Sequence, residues 1–240
     1  MSELLDEATR KEVRMILANM KGEVILKFIK PKGECKYCDL EEEILEIISS
    51  LAPENKIKLK KVSFDEASKK YNVDLAPALL IHSPEKEYGV RFFGIPAGYE
   101  FGALIEDIVD VSRDRVEVDE ETQQIIKIVD KPVRIKIFVT PTCPYCPLAV
   151  RAAHKFAILN NLIYGDMIEA LEFPELADSY GVYAVPKVVI NDVIEFEGAI
   201  PEKFFALAVA ESIGKKVGKI SFKELYRELT GEVTRTSERL

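Results

Sequence analysis

Residues 133–150 read Val-Arg-Ile-Lys-Ile-Phe-Val-Thr-Pro-Thr-Cys-Pro-Tyr-Cys-Pro-Leu-Ala-Val, and residues 24–38 read Val-Ile-Leu-Lys-Phe-Ile-Lys-Pro-Lys-Gly-Glu-Cys-Lys-Tyr-Cys. Each stretch begins with a β-branched run that predicts a strand and ends on two cysteines three residues apart, opening a helical pattern. The pairs Cys35/Cys38 and Cys143/Cys146 use all four cysteines of the chain. Spacing alone leaves three readings open: metal ligands, structural cross-links or redox chemistry.

The sequence beyond each pair is also repeated. The first half continues with a helix to about Leu51, a strand Ile57 to Val62, a short helix Asp65 to Tyr71, then Ala76-Pro77. A strand Ala78 to His82, a second Tyr88 to Phe93, and a helix Tyr99 to Val111 complete it. The second half gives a helix to about Asn160, a strand Leu162 to Ile168, a helix Pro174 to Tyr180, then Val185-Pro186. A hairpin of Lys187 to Ile190 and Val193 to Phe196, turned at Asn191-Asp192, and a helix Pro201 to Ile213 end the repeat. Cys35 and Cys143 are 108 residues apart, Tyr71 and Tyr180 109, Pro77 and Pro186 109, Gly94 and Gly198 104. The β-α-β-α-β-β-α order predicts an α/β fold, in each half a mixed sheet with helices on both faces and a final antiparallel hairpin.

The charged segment Ser112 to Glu121 marks the boundary, giving units at residues 1–117 and 118–240. Helices at Leu4 to Met20 and Glu120 to Val129 lead into them. Ser221 with Glu224 reads as a capping box for a last helix with Phe222, Leu225 and Leu229 on one face, and Thr234 to Leu240 reads as a frayed end.

Composition narrows the class. The chain has 240 residues, 48% hydrophobic and 31% charged, enough apolar surface for a core. A net charge of −8 gives no electrostatic reason to meet nucleic acid or an anionic membrane. No apolar run approaches the ~18 residues of a membrane span, and Met1 to Met20 alternates charged and apolar residues where a secretory signal would be continuous, so a cytoplasmic location is expected. Trp is absent, Gln occurs only at 123 and 124, and Lys and Glu dominate, a hyperthermophile bias. That matters because cytosolic disulfides are used in such organisms.

A Cys pair at a helix start is suited to redox work. A free thiol has a pKa of about 8.5, and the unpaired N–H groups and dipole of a helix N-terminus stabilise its thiolate. The first cysteine, at the exposed tip, then attacks a partner's disulfide, and the second, one turn into the helix, resolves the mixed disulfide. Pro77 and Pro186, 42 and 43 residues after the first cysteine of each pair, precede a hairpin strand where a cis-proline would face the sulfurs. Lacking an N–H, they leave the backbone of Ala76 and Val185 open to an extended substrate segment.

These features together resemble the thioredoxin superfamily, and Cys143-Pro144-Tyr145-Cys146 is similar to the glutaredoxin active-site sequence. Two such units, with Phe93-Gly94-Ile95-Pro96-Ala97-Gly98 in the first and Thr140 to Pro147 in the second, resemble the glutaredoxin-like protein disulfide oxidoreductases of hyperthermophiles over residues 20 to 213. The resemblance implies two tandem thioredoxin-like units that reduce, oxidise and isomerise protein disulfides. Cys35 and Cys143 attack, Cys38 and Cys146 resolve, and Pro77 and Pro186 present the substrate. It implies redox-active disulfides with no bound cofactor, electrons from an NADPH-dependent flavoprotein resembling thioredoxin reductase, and protein disulfides as substrates. A narrower alternative is an electron carrier to a peroxiredoxin-type client. In thioredoxin a buried carboxylate precedes the first cysteine by six residues and a Trp adjoins it. Here those places hold Ile29 and Ile137, then Glu34 and Thr142, so no proton acceptor for the resolving cysteines can be carried over.

The two sites are expected to be unequal. Glu34, Asp39, Glu41, Glu42 and Glu43 surround the first pair with only Lys32 and Lys36 against them, whereas no charge lies between Pro141 and Val150. Acids beside a thiolate oppose it, so Cys143 is expected to be the more acidic nucleophile. A zinc site shared by both pairs is the rival from another class, but zinc ribbons separate their pairs by about 15–20 residues and here Cys38 and Cys143 are 105 apart in sequence. Among the remaining side chains, Tyr37 and Tyr145 line the substrate groove or pack on their helices. His82 and His154 read as packing or surface residues, Lys187 as a solvated lysine, and Glu41 to Glu43 as a solvated first helical turn.

Overall fold

Asp6 accepts a hydrogen bond from the Thr9 N–H at 2.7 Å and so caps α1 (Glu7–Leu17), the first helix of the computed structural model, which describes residues 4–218 and 221–231. The first half continues β1 (Val24–Ile29), α2 (Cys38–Leu51), β2 (Ile57–Val62), α3 (Phe64–Tyr71), β3 (Ala78–His82), β4 (Val90–Phe93) and α4 (Glu100–Arg113). The second runs α5 (Glu120–Lys127), β5 (Val133–Val139), α6 (Cys146–Leu159), β6 (Ile163–Glu169), α7 (Pro174–Ser179), β7 (Lys187–Ile190), β8 (Ile194–Glu197) and α8 (Glu202–Ser212). A last helix, α9 (Phe222–Thr230), comes after them.

The two halves pair their strands alike. β1 is parallel to β2 and antiparallel to β3, which is antiparallel to β4; β5, β6, β7 and β8 repeat the pattern. Asn191 and Asp192 turn the second hairpin with φ of 51° and 56°, the left-handed conformation such a turn requires.

The halves also share one sheet, in the order β2-β1-β3-β4-β6-β5-β7-β8, through parallel pairing of Val90–Phe93 with Gly165–Ile168. The periodicity of either half does not show this joint. Without it β4 would be an edge strand with unpaired N–H and C=O groups, which invites foreign strands, and pairing with β6 covers it. Gly89 lets the strands approach: the Gly165 N–H donates to its carbonyl at 2.7 Å, and a Cβ on Gly89 would stand 2.1 Å from the Ile163 carbonyl oxygen.

A larger apolar core lies between one sheet face and helices α1, α2, α4, α5, α6, α8 and α9. A smaller one, with Ile29, Leu80, Phe138 and Ile168, lies under α3 and α7. The expected capping box at Ser221 and Glu224 is formed. On α9, however, Tyr226 is buried with Phe222 against Phe196 while Leu229 is half exposed. The expectation for Thr234 to Leu240 lies outside the described residues. Among the described residues no helix is long and apolar enough to cross a membrane.

One consequence of the topology positions the chemistry. β1, β4, β6 and β5 run in the same direction, so the loops leaving β1 and β5 emerge at the same end of the sheet. Four strand spacings, roughly 19 Å in all, separate them.

Candidate redox sites

Cys35 with Cys38, and Cys143 with Cys146, form disulfides with a Cα–Cα separation of 5.5 Å in each. The helices begin at the second cysteine of each pair, after Tyr37 and Tyr145, so each resolving cysteine is the first helical residue and not one turn in. The first cysteine is correspondingly outside the helix: the Cys143 N–H donates to the Thr140 carbonyl at 3.1 Å in a turn closing the loop from β5. That turn tucks Cys143 in, so it is buried and not at an exposed tip; Cys35 is partly exposed, and Cys38 and Cys146 are buried.

At the second site the Cys146 N–H, an unpaired amide of the α6 start, donates to Cys143 Sγ at 3.1 Å. The same sulfur lies 3.6 Å from the Val185 carbonyl oxygen. Ala76-Pro77 and Val185-Pro186 are both cis, and each proline carbonyl accepts from a glycine after its hairpin, Gly94 at 3.1 Å and Gly198 at 2.8 Å. In the first half Ala78, one residue past Pro77, pairs with Ile29 at the end of β1, which sets Ala76-Pro77 beside the loop to Cys35. Tyr145 is 66% exposed at the rim of its site, whereas Tyr37 is partly buried with the Lys36 ammonium 4.8 Å from its ring.

The acids around the first site divide into two kinds. Asp39 pairs with Lys30 at 3.0 Å, and Glu42 with Lys30 at 2.8 Å and with Lys61. Hydrogen bonds from Lys30 and then Lys61 hold the Glu42 carboxyl below its ordinary range. Glu41 is different: it is 1% exposed and neither carboxylate oxygen has a hydrogen-bond partner. Burial, and next the charge of Glu172, push its pKa well above the carboxylate range. It does not belong to a solvated turn, because it shares the inward face of α2 with Cys38, Leu45 and Ile48. That register is the signal in the sequence.

Helix α4 of the first half packs buried carboxylates against α6, the helix of the second site. Glu100, Ala103, Asp107 and Asp110 recur on one face of α4, and Asp107 meets His154 at 2.6 Å while Asp110 meets Arg151 at 2.6 Å. Asp107 also pairs with Arg151. Since the Tyr99 N–H donates to the Pro141 carbonyl at 3.1 Å, α4 starts beside the loop that leads to Cys143, and Glu100 is the first residue of α4. Its carboxylate is 1% exposed and unpartnered, and burial, then the Asp107 charge, raise its pKa to about 8. Gly98 makes this contact possible: it has φ +61°, and a Cβ would stand 2.1 Å from the Pro141 carbonyl oxygen.

Lys187 is not solvated either. It is 6% exposed, donates to the Tyr180 carbonyl at 2.8 Å and pairs with Glu195 at 3.2 Å. The two histidines are packing residues: His82 stands 2.8 Å from Lys27 Nζ, and burial and then the lysine charge lower its pKa to about 3.

Comparison with known proteins agrees with this architecture. Residues 133–211 match the family model of a thioredoxin domain. A protein disulfide oxidoreductase from Aeropyrum pernix K1 is 31% identical, superposes with a TM-score of 0.80, and is matched over 97% of its length and 90% of this chain. The alkylhydroperoxide reductase AhpF of Enterococcus faecalis, solved as its C503A mutant, shares the fold at 24% identity with a TM-score of 0.80, over 87% of this chain and all of that one. An alkyl hydroperoxide reductase subunit of Staphylococcus aureus strain Mu50 / ATCC 700699 is 28% identical over 188 residues, 78% of this chain. The chain spans about a third of the length of the curated relatives it matches, 34% in that case.

Proposed function

The chain belongs to the protein disulfide oxidoreductases, a thioredoxin-fold family, and on that premise we propose that both cysteine pairs carry out dithiol–disulfide exchange on protein substrates. Cys143 and Cys35 attack as thiolates, each forming a bond to one substrate sulfur and displacing the other. Cys146 or Cys38 then attacks the first cysteine, closing the disulfide and releasing the substrate as a dithiol. Two electrons pass to the substrate, and the reverse sequence oxidises it.

The observation that carries this reading is the second site, where a helix-terminal N–H at 3.1 Å and the Val185 carbonyl at 3.6 Å converge on one sulfur. The amide favours the thiolate. Val185 and, by the repeat, Ala76 offer backbone groups for an extended substrate chain, with Pro77 and Pro186 behind them and Tyr37 and Tyr145 at the rims. Units 1–117 and 118–240 each supply one site.

Reducing equivalents come in this reading from an NADPH-dependent flavoprotein reductase. The relatives named as alkyl hydroperoxide reductase subunits support a narrower version, in which the chain passes electrons to a peroxiredoxin-type client. One zinc ion held by all four sulfurs is opposed by the roughly 19 Å between the strands that carry them.

Trapping tests the proposal. The Cys146→Ser and Cys38→Ser variants, unable to resolve, are expected to accumulate mixed disulfides with a reducible protein such as insulin through Cys143 and Cys35, identified by mass spectrometry. Absence of both adducts would overturn it.

A further inference from the structure

Glu41 is a charged residue in an apolar place with no partner to justify it. The carboxylate is 1% exposed and neither oxygen is hydrogen-bonded, an arrangement costly enough to call for a reason. It lies three residues after Cys38 on the buried face of α2. Residues at that spacing have Cβ atoms about 5–6 Å apart, and helical side chains lean toward the N-terminus, so the turn that Glu41 covers is the one that begins with Cys38. In the disulfide form the Cys38 sulfur has no proton to donate to it.

We propose that Glu41 is the proton acceptor for Cys38, the resolving thiol of the first site. The inference rests on the dithiol–disulfide exchange proposed above. In the mixed disulfide, the Glu41 carboxylate takes the Cys38 proton and the freed thiolate attacks Cys35 Sγ. The Cys38–Cys35 bond forms as the bond from Cys35 to the substrate sulfur breaks, and the substrate leaves with the electron pair. The proton stays on Glu41, and the substrate thiolate takes its own from solvent. Resolution in the opposite direction runs the same steps backward, with Glu41 returning the proton.

A carboxyl lifted above its ordinary range is a better match for a thiol than a solvated one, since proton transfer is most efficient when the two pKa values are close. The charged group facing Glu41 from another element is Glu172, in the turn after β6, whose Oε1 accepts from the Ile95 N–H at 2.7 Å. Glu172 in turn feels the charges of Glu169 and Lys36. The acceptor belongs to the first site alone: Ala149 comes after Cys146 by the same three residues.

The test uses the full chain carrying Cys143→Ser and Cys146→Ser, reduced and mixed with the thionitrobenzoate disulfide. Attack by Cys35 releases one thionitrobenzoate and resolution by Cys38 a second, so the two phases are timed separately from about pH 5 to pH 9. Glu41→Gln is expected to lower the ratio of second-phase to first-phase rate at least about tenfold near neutrality, with a pH profile shifted toward an unassisted thiol. Glu41→Asp is expected to recover part of the ratio. An unchanged ratio and pH profile in Glu41→Gln would overturn the proposal, while failure of the parent chain to release either equivalent would overturn the exchange reading. Should Glu41→Gln not fold, infrared difference spectra of the parent chain decide: a buried carboxyl band that grows on resolution supports the proposal, and its absence refutes it.

Discussion

Arg91 of β4 and Asp166 of β6 clasp each other across the joint between the two halves, Nε to Oδ1 at 2.6 Å and Nη2 to Oδ2 at 2.8 Å, with side chains 2% and 0% exposed. Arg134 of β5 donates to the second Asp166 oxygen at 2.6 Å and reaches Asp74 of the first half at 2.6 and 2.7 Å. The network ties three strands and both repeats through one carboxylate.

Removing that carboxylate leaves two guanidinium groups facing a neutral amide. Asp166→Asn is expected to cost about 3–5 kcal/mol and to lower Tm by on the order of 10 °C, measured by calorimetry. A loss below about 1 kcal/mol would mean that the joint does not depend on the pair.

The two nucleophiles are expected to differ. Cys143 receives the Cys146 N–H at 3.1 Å in a stretch, Pro141 to Val150, free of charge, while Cys35 stands among acids only partly matched by lysines. Thiolate absorbance of single-cysteine variants should show Cys143 titrating at the lower pH. Equal or reversed titrations would remove the inequality.

Glu100 gives the stability of the fold a pH dependence of known sign. Unfolded, it ionises near 4.5; folded, it keeps its proton to about 8. Between those values unfolding releases a proton, so its contribution falls as pH rises through that window and levels off above it. Glu100→Gln is expected to gain on the wild type across the window by on the order of 3–5 kcal/mol, seen in urea unfolding at both ends. A constant difference would contradict the assignment.

Gly98 sets α4 against the loop of the second site, with φ +61° and the Pro141 carbonyl where a side chain would begin. Gly98→Ala is expected to cost at least about 2 kcal/mol and to slow alkylation of reduced Cys143 more than of Cys35. Equal effects on both cysteines would show that the contact does not shape the second site.

Much of this is legible in the chain. Strands Val24–Ile29, Ile57–Val62, Ala78–His82, Val133–Val139 and Lys187–Ile190 lie where β-branched runs place them, because local preference and burial agree there. The cysteine pairs and their prolines stand out in the repeat itself. What the repeat does not encode is contact between its copies: the β4–β6 pairing, Asp107 of α4 with His154 of α6, and Glu172 near Glu41 join residues far apart in sequence. Glu41 and Lys187 read as solvated because charge outweighs register when no packing partner is in view. Yet Glu41 is in phase with Cys38, Leu45 and Ile48, and Glu100 with Ala103 and Ile108, so the helical period carries the information.

Two working redox sites in one sheet are the central claim, and insulin reduction measured on four chains tests it most directly: wild type, Cys35→Ser, Cys143→Ser and the double variant. Partial loss in each single variant and complete loss in the double are predicted. Undiminished reduction by the double variant would contradict the account.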